Sequence, residues 1–138
     1  MQRPPGESAI PTVCIAMDVN SLGATEAFYA EALGFTRTAA FRVGQIFEEV
    51  RLVSPRVPGV MLILRQAFGK RSVGSQPGTL LRLAFRVDDL AREIVRLDPL
   101  KRWQGASPVQ VPVPPYVRLV DPDGYIIEIF EQEPSVGF

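Results

Sequence analysis

The sequence predicts an α+β chain built from two tandem βαβββ modules, each a mixed sheet with one covering helix. Three observations carry that expectation. Residues 14–22 read CIAMDVNSL and residues 82–90 read RLAFRVDDL, so at an offset of 68 Ile15 matches Leu83, Met17 matches Phe85, Val19 matches Val87 and Leu22 matches Leu90. At an offset of 65, VMLILRQ (60–66) matches the run that begins at Tyr125, YIIEIFEQ. Between the copies, GKRSVGSQPG (69–78) is polar and rich in Gly and Ser, the composition of a linker. Two nearly constant offsets describe one supersecondary unit used twice.

Each element follows from local pattern. Val13, Ile15, Met17 and Val19 alternate with Thr12, Cys14, Ala16 and Asp18, the period of a strand. Asn20 or Ser21 caps a helix that runs to about Leu33, with Gly34 as its stop and Phe28, Tyr29, Ala32 and Leu33 on one face. Strands are expected at 36–43, 46–53 and 59–65, with Val43-Gly44-Gln45 as a hairpin turn. The second copy opens with Leu81, Leu83, Phe85 and Val87 alternating with Arg82, Ala84 and Arg86. Asp88 or Asp89 caps a second helix in which Leu90, Ile94 and Leu97 fall at i, i+4 and i+7. ASPVQVPVPP (106–115) is irregular or an edge strand, because four prolines remove backbone donors. PYVRLV and YIIEIF then flank Asp121-Pro122-Asp123-Gly124, a strong turn signal. The expected organisation is a tail at 1–10, a first module at 11–67, a linker at 68–78, a second module at 79–131 and a tail at 132–138.

Composition narrows the function classes. Lys plus Arg equals Asp plus Glu at 15 each, so no nucleic-acid partner and no polybasic membrane contact is expected. Apolar runs such as Val60–Leu64 are too short to span a bilayer, and MQRPPGESAIP has no apolar signal region. One cysteine cannot form an internal disulfide, which makes the cytoplasm the expected location. There is no histidine, so the commonest metal ligand and the commonest neutral-pH general base are both missing.

Three motifs in order carry a resemblance. EAFYAEALGF (26–35) resembles the first helix of the vicinal oxygen chelate superfamily, the group of glyoxalases, bleomycin-resistance proteins and extradiol dioxygenases. LAFRVDDL (83–90) is similar to the start of that family's second module, and DPDGYIIEIF (121–130) to its closing strand-turn-strand. The resemblance implies the glyoxalase/bleomycin-resistance/dioxygenase fold, with curved sheets facing one another around a cavity, and commonly a homodimer. The Pro-rich edge gives the dimer a local motive, since an open sheet edge needs cover.

The resemblance also implies a divalent metal held from the first and last strand of each module, typically by histidines and carboxylates. The corresponding positions here are Cys14, Ile63, Arg82 and Glu128. Only Glu128 is an ordinary hard-cation ligand; Ile63 has no donor and Arg82 is a permanent cation. No metal and no other cofactor is therefore expected, and metal-dependent glyoxalase or dioxygenase chemistry is disfavoured. Two arrangements remain open: Arg82 pairs with Glu128 in place of the lost cation, or Arg82 sits on a solvated sheet edge while Glu128 pairs elsewhere.

Cys14, without any histidine to activate it, reads as a small buried apolar residue rather than a nucleophile. Glu48 and Glu49 are adjacent, so on a strand they face opposite ways and make a poor acid/base pair. Strand parity is expected to put Thr12, Ala16, Ala84, Val117, Leu119, Ile126 and Phe130 on the face of Glu128 and its counterparts. The expected site is thus a mostly apolar ligand pocket of Thr12, Cys14, Ile63, Arg82, Ala84, Val117, Leu119 and Phe130 around Glu128. Its leading function is binding a small apolar or aromatic molecule, anionic if Arg82 is free. The alternatives are a metal-independent isomerase or lyase with Glu128 as acid/base, and a dimeric interaction module with a closed cavity.

Overall fold

The computed structural model describes residues 11, 13–69, 82–104 and 116–131. The chain divides into two units, Met1–Arg71 and Ser72–Phe138. In the first, β1 (Val13–Asp18) leads to α1 (Leu22–Leu33), then β2 (Thr36–Val43), β3 (Phe47–Ser54) and β4 (Val57–Ala67). The sheet order is β1-β4-β3-β2, with β1 parallel to β4 and the other pairs antiparallel. In the second unit, β5 (Arg82–Arg86) leads to α2 (Leu90–Leu97), a 3₁₀ turn at Asp98–Leu100, β6 (Tyr116–Val120) and β7 (Ile126–Phe130). Its sheet order is β5-β7-β6, with β5 parallel to β7. Among the described residues neither sheet closes on itself.

The helix boundaries have local causes. Ser21 Oγ accepts the Ala24 N–H at 3.2 Å, and Gly34 ends α1 in the left-handed region at φ 73°. There the Gly34 and Phe35 N–H groups close onto Ala30 and Tyr29 carbonyls. Ser54 Oγ donates to the Leu33 carbonyl at 2.7 Å and ties the end of α1 to β3. Asp89 caps α2, its carboxylate accepting from Arg92 N–H at 3.1 Å. Gly44, at φ 49°, makes the β2–β3 hairpin where the sequence places a turn.

The duplication holds at the level of hydrogen bonds. Ala16 pairs with Ile63 and Ala84 with Glu128, the same parallel register at the two sequence offsets. After each first strand, the Val19 N–H reaches the Arg65 carbonyl at 2.9 Å and the Val87 N–H reaches the Phe130 carbonyl at 2.8 Å. Gln66 Oε1 then accepts the Leu22 N–H at 2.9 Å, and Glu131 Oε1 accepts the Leu90 N–H at 2.7 Å. In each repeat a side chain at or just past the end of the last strand satisfies one of the helix's orphan N–H donors.

One face of each sheet is buried. In the first unit Met17, Val50, Leu52, Leu62 and Leu64 lie under α1, whose Phe28, Tyr29, Ala32 and Leu33 are buried as the sequence periodicity predicts. Tyr29 meets Phe28 and Phe35 edge-on. In the second unit the helix-side buried set is Leu83, Phe85, Val117, Leu119, Ile127 and Ile129, with Leu90 and Leu97 of α2, and Ile126 is buried on the opposite face. The Pro-rich stretch expected as an irregular sixth strand lies outside the described residues. Arg102–Gln104 instead add a short bridge to the edge of β6, through Trp103 opposite Leu119.

Candidate functional site

The second unit's sheet turns its other face outward, and that face carries the charge. Along β5 it shows Arg82, Ala84 and Arg86, along β7 Ile126, Glu128 and Phe130, and along β6 Tyr116, Arg118 and Val120. Glu128 stands between Ala84 and Arg118 in the central row. Arg118 Nε donates to Glu128 Oε2 at 3.0 Å, while Arg82 Nε lies 3.8 Å from the same oxygen. The second contact is an ion pair without a hydrogen bond. Glu128 keeps only 17 % of its side-chain exposure; Arg82 keeps 58 %. The Arg118 guanidinium also lies 4.9 Å from the centre of the Tyr116 ring, a cation–π contact that fixes its position.

Arg82 and Glu128 therefore do meet, but Arg118 is the principal partner, and Arg82 is mostly exposed rather than buried. Val117 and Leu119 are corrected outright: both are fully buried on the opposite face and do not share a surface with Glu128. The cause is the length of the turn. A loop ending at Gly124 would pair Val120 with Tyr125 and put Val117 opposite Glu128. Asp121 Oδ1 instead accepts N–H bonds from Asp123 and Tyr125, both at 2.9 Å, and draws Tyr125 into the turn. Val120 then pairs with Ile126, and the one-residue slip exchanges the two faces of β6. Tyr116 and Arg118, which the sequence reading missed, take the places expected for Val117 and Leu119. The Asp-Pro-Asp-Gly run, read as an Asx turn with two acceptor contacts, is the signal that finds them.

The first unit has a comparable outward face. Cys14, Ala16, Ile63 and Glu49 lie on it, and Thr12 is outside the described residues. Cys14 is exposed, contrary to the buried apolar role expected for it, because the buried face of β1 is the one that carries Met17. A pocket of about 300 Å³ is lined by Ala16, Asp18, Glu49, Arg51, Ile63 and Arg65. Glu49, only 2 % exposed, is gripped by two guanidiniums: Arg65 Nη2 at 2.8 Å and Nε at 3.1 Å on Oε1, and Arg51 Nε at 3.1 Å on Oε2. Those guanidiniums lie over Phe47 and Phe41, 3.9 and 5.3 Å from the ring centres. Glu48 faces the other way and pairs with Arg42 at 3.8 Å, as strand parity requires.

Two side chains away from these faces titrate unusually. Arg37 donates from Nε and Nη2, one edge of its guanidinium, to both carboxylate oxygens of Glu26, which raises its already high pKa. The Trp103 indole N–H, followed by Lys101, holds Asp98 below the usual carboxylate range.

A divalent metal would find a poor set of donors. Of the positions the resemblance singles out, Cys14 in the first unit is a thiol and Ile63 has no donor. Arg82 adds positive charge, and Glu128 already binds a guanidinium. Among the described residues no group of three or more His, Cys, Asp or Glu is placed to hold a metal ion.

No protein-family profile matches the chain, and no curated protein matches it. Solved structures do. A glyoxylase/bleomycin resistance protein/dioxygenase domain from Frankia sp. EAN1pec superposes with a TM-score of 0.68 at 19 % identity, covering 91 % of this chain and all (100 %) of that one. TnmS3, an antibiotic binding protein from Streptomyces sp. CB03234, superposes with a TM-score of 0.64 at 25 % identity, covering 94 % and 100 %. A mutant of the fosfomycin resistance protein FosX from Listeria monocytogenes, complexed with Mn(II) and a dihydroxypropylphosphonic acid, gives 0.68 at 16 % identity, covering 94 % of each chain. Repeat register, helix capping and these superpositions agree: the chain has the glyoxalase/bleomycin-resistance/dioxygenase fold of the vicinal oxygen chelate superfamily.

Proposed function

We propose that this protein binds a small apolar or aromatic molecule on the outward faces of its sheets, without a resident metal. One observation carries the reading: the one conventional ligand position, Glu128, is hydrogen-bonded by Arg118 and flanked by Arg82. A guanidinium supplies the positive charge that a divalent ion would otherwise bring to the carboxylate, and it leaves no coordination site for a substrate. What remains is a surface for recognition. Flat apolar and aromatic groups beside fixed charges are the usual lining of a small-molecule site. The 25 % identical structural relative being an antibiotic binding protein supports the same reading.

The acid/base alternative at Glu128 loses ground on the same geometry. Oε2 serves as an anchor for Arg118 rather than as an acceptor for a substrate proton. The reading further includes a homodimer and a cytoplasmic location. No helix among the described residues is long and apolar enough to cross a membrane.

Native mass spectrometry of protein purified from its own cells tests the proposal. A small organic adduct, released unchanged on denaturation, is the expected result. An added candidate compound that returns chemically altered would shift the assignment to the acid/base alternative. Absence of any adduct, together with no retention of aromatic compounds from a mixed library, would leave the interaction module.

A further inference from the structure

The second unit's outward face carries more positive charge than its one carboxylate can use. Among the described residues, Arg82, Arg86 and Arg118 share the strand positions of that face with Glu128 alone, an excess of two positive charges. Arg118 takes the short hydrogen bond to Glu128, and Arg86 Nε donates to the Glu131 carbonyl at 3.2 Å. Arg82 is different. Among the described residues its side chain makes no hydrogen bond, it stands 3.8 Å from an oxygen that Arg118 already holds, and it is mostly exposed. Its partner across the sheet is Ile126, and the next residue on its face of β5 is Ala84, whose side chain is too small to cover it. Phe130 pairs with Tyr116 on one side and Arg86 on the other, so the far end of the same face carries two aromatic rings beside a guanidinium whose Nε is already engaged. The Arg82 and Phe130 rows are four residues apart along the strands, about 13 Å at the usual rise per residue.

We infer that Arg82 is the specificity-determining residue of this face and selects an organic anion: a carboxylate, sulfonate or phenolate on a flat apolar body. This rests on the small-molecule reading above and names its ligand class. Arg118 is then a positioning residue. By satisfying Glu128 it keeps that carboxylate from capturing Arg82, whose donors stay available for the ligand's anionic group.

Two fluorescent probes of matched shape separate the claims: the anionic dye anilinonaphthalene sulfonate and its neutral relative phenylnaphthylamine. Each is titrated into wild-type protein and into Arg82→Gln, with circular dichroism confirming the fold. Loss of one charge-assisted contact should weaken the anionic dye about tenfold, with the neutral dye unchanged. Added salt should narrow the gap between the dyes in the wild type. Arg118→Gln should also weaken the anionic dye, because Glu128 then recruits Arg82, and adding Glu128→Gln should restore it. If the neutral dye saturates but Arg82→Gln affects both dyes equally or neither, the anion assignment is overturned and the binding reading stands. If neither dye saturates on wild-type protein, the binding reading itself is overturned, and the anion assignment falls with it.

Discussion

Arg118 and Glu128 stand directly opposite each other on β6 and β7, joined by a 3.0 Å hydrogen bond from guanidinium to carboxylate. The stability cost of each arginine follows from this arrangement. Arg82→Ala should cost about 1 kcal/mol or less, the usual worth of an exposed ion pair. Arg118→Ala should cost more, about 1–3 kcal/mol, because it removes the hydrogen bond to a mostly buried carboxylate. A double-mutant cycle by urea denaturation should show coupling of Arg118 with Glu128 larger than that of Arg82 with Glu128. The reverse order would mean that Arg82 is the true counter-ion.

Glu49 offers a stricter case, since it is almost completely buried and held by two arginines. Removing both Arg51 and Arg65 strands the carboxylate and should destabilise by about 3–5 kcal/mol. Adding Glu49→Gln to that double variant should recover a substantial part. Chemical denaturation of the single, double and triple variants measures this directly, and no recovery would show that the cost comes from lost packing on Phe41 and Phe47.

These two carboxylates show how far the sequence could be read. Offsets of 68 and 65 predicted the repeat, and the parallel registers Ala16–Ile63 and Ala84–Glu128 follow them. Helix ends at Ser21, Gly34 and Asp89 were legible because capping chemistry is local. Which residues face Glu128 was not, because it depends on whether Tyr125 belongs to the turn or to β7. That choice is made by two hydrogen bonds to Asp121, and one residue of slip turns Arg118 from the expected buried side to the outward side. Arg51 and Arg65 were missed for a related reason. Their convergence on Glu49 needs the β3–β4 register, which pairs Glu49 with Arg65.

The turn itself can be tested. Asp121 is fully buried and its Oδ1 accepts two backbone N–H groups, so Asp121→Ala should cost about 2–3 kcal/mol. Hydrogen exchange should speed up first at Asp123 and Tyr125. Unchanged protection there would show that the backbone, not the carboxylate, sets the register.

Asp98 and Trp103 provide a pH readout. The folded-state pKa of Asp98 is depressed, so the contribution of its bond to Trp103 is present above the unfolded aspartate value and is lost as pH falls through the lower folded value. Trp103 is the chain's one tryptophan, so its fluorescence reports the bond without interference. Emission should hold steady through neutral and mildly acidic pH and shift only below the usual aspartate range, and Asp98→Asn should abolish that shift. A transition near neutral pH would contradict the assignment.

We propose that the guanidiniums of Arg118 and Arg82 take up the Glu128 carboxylate that a metal ion would otherwise need. Elemental analysis of protein purified without chelator, after equilibration with manganese, iron, nickel and zinc and removal of free ions, tests it most directly. The account predicts no stoichiometric transition metal, in the wild type and in Glu128→Ala alike. One metal ion per chain in the wild type, lost in Glu128→Ala, would contradict it.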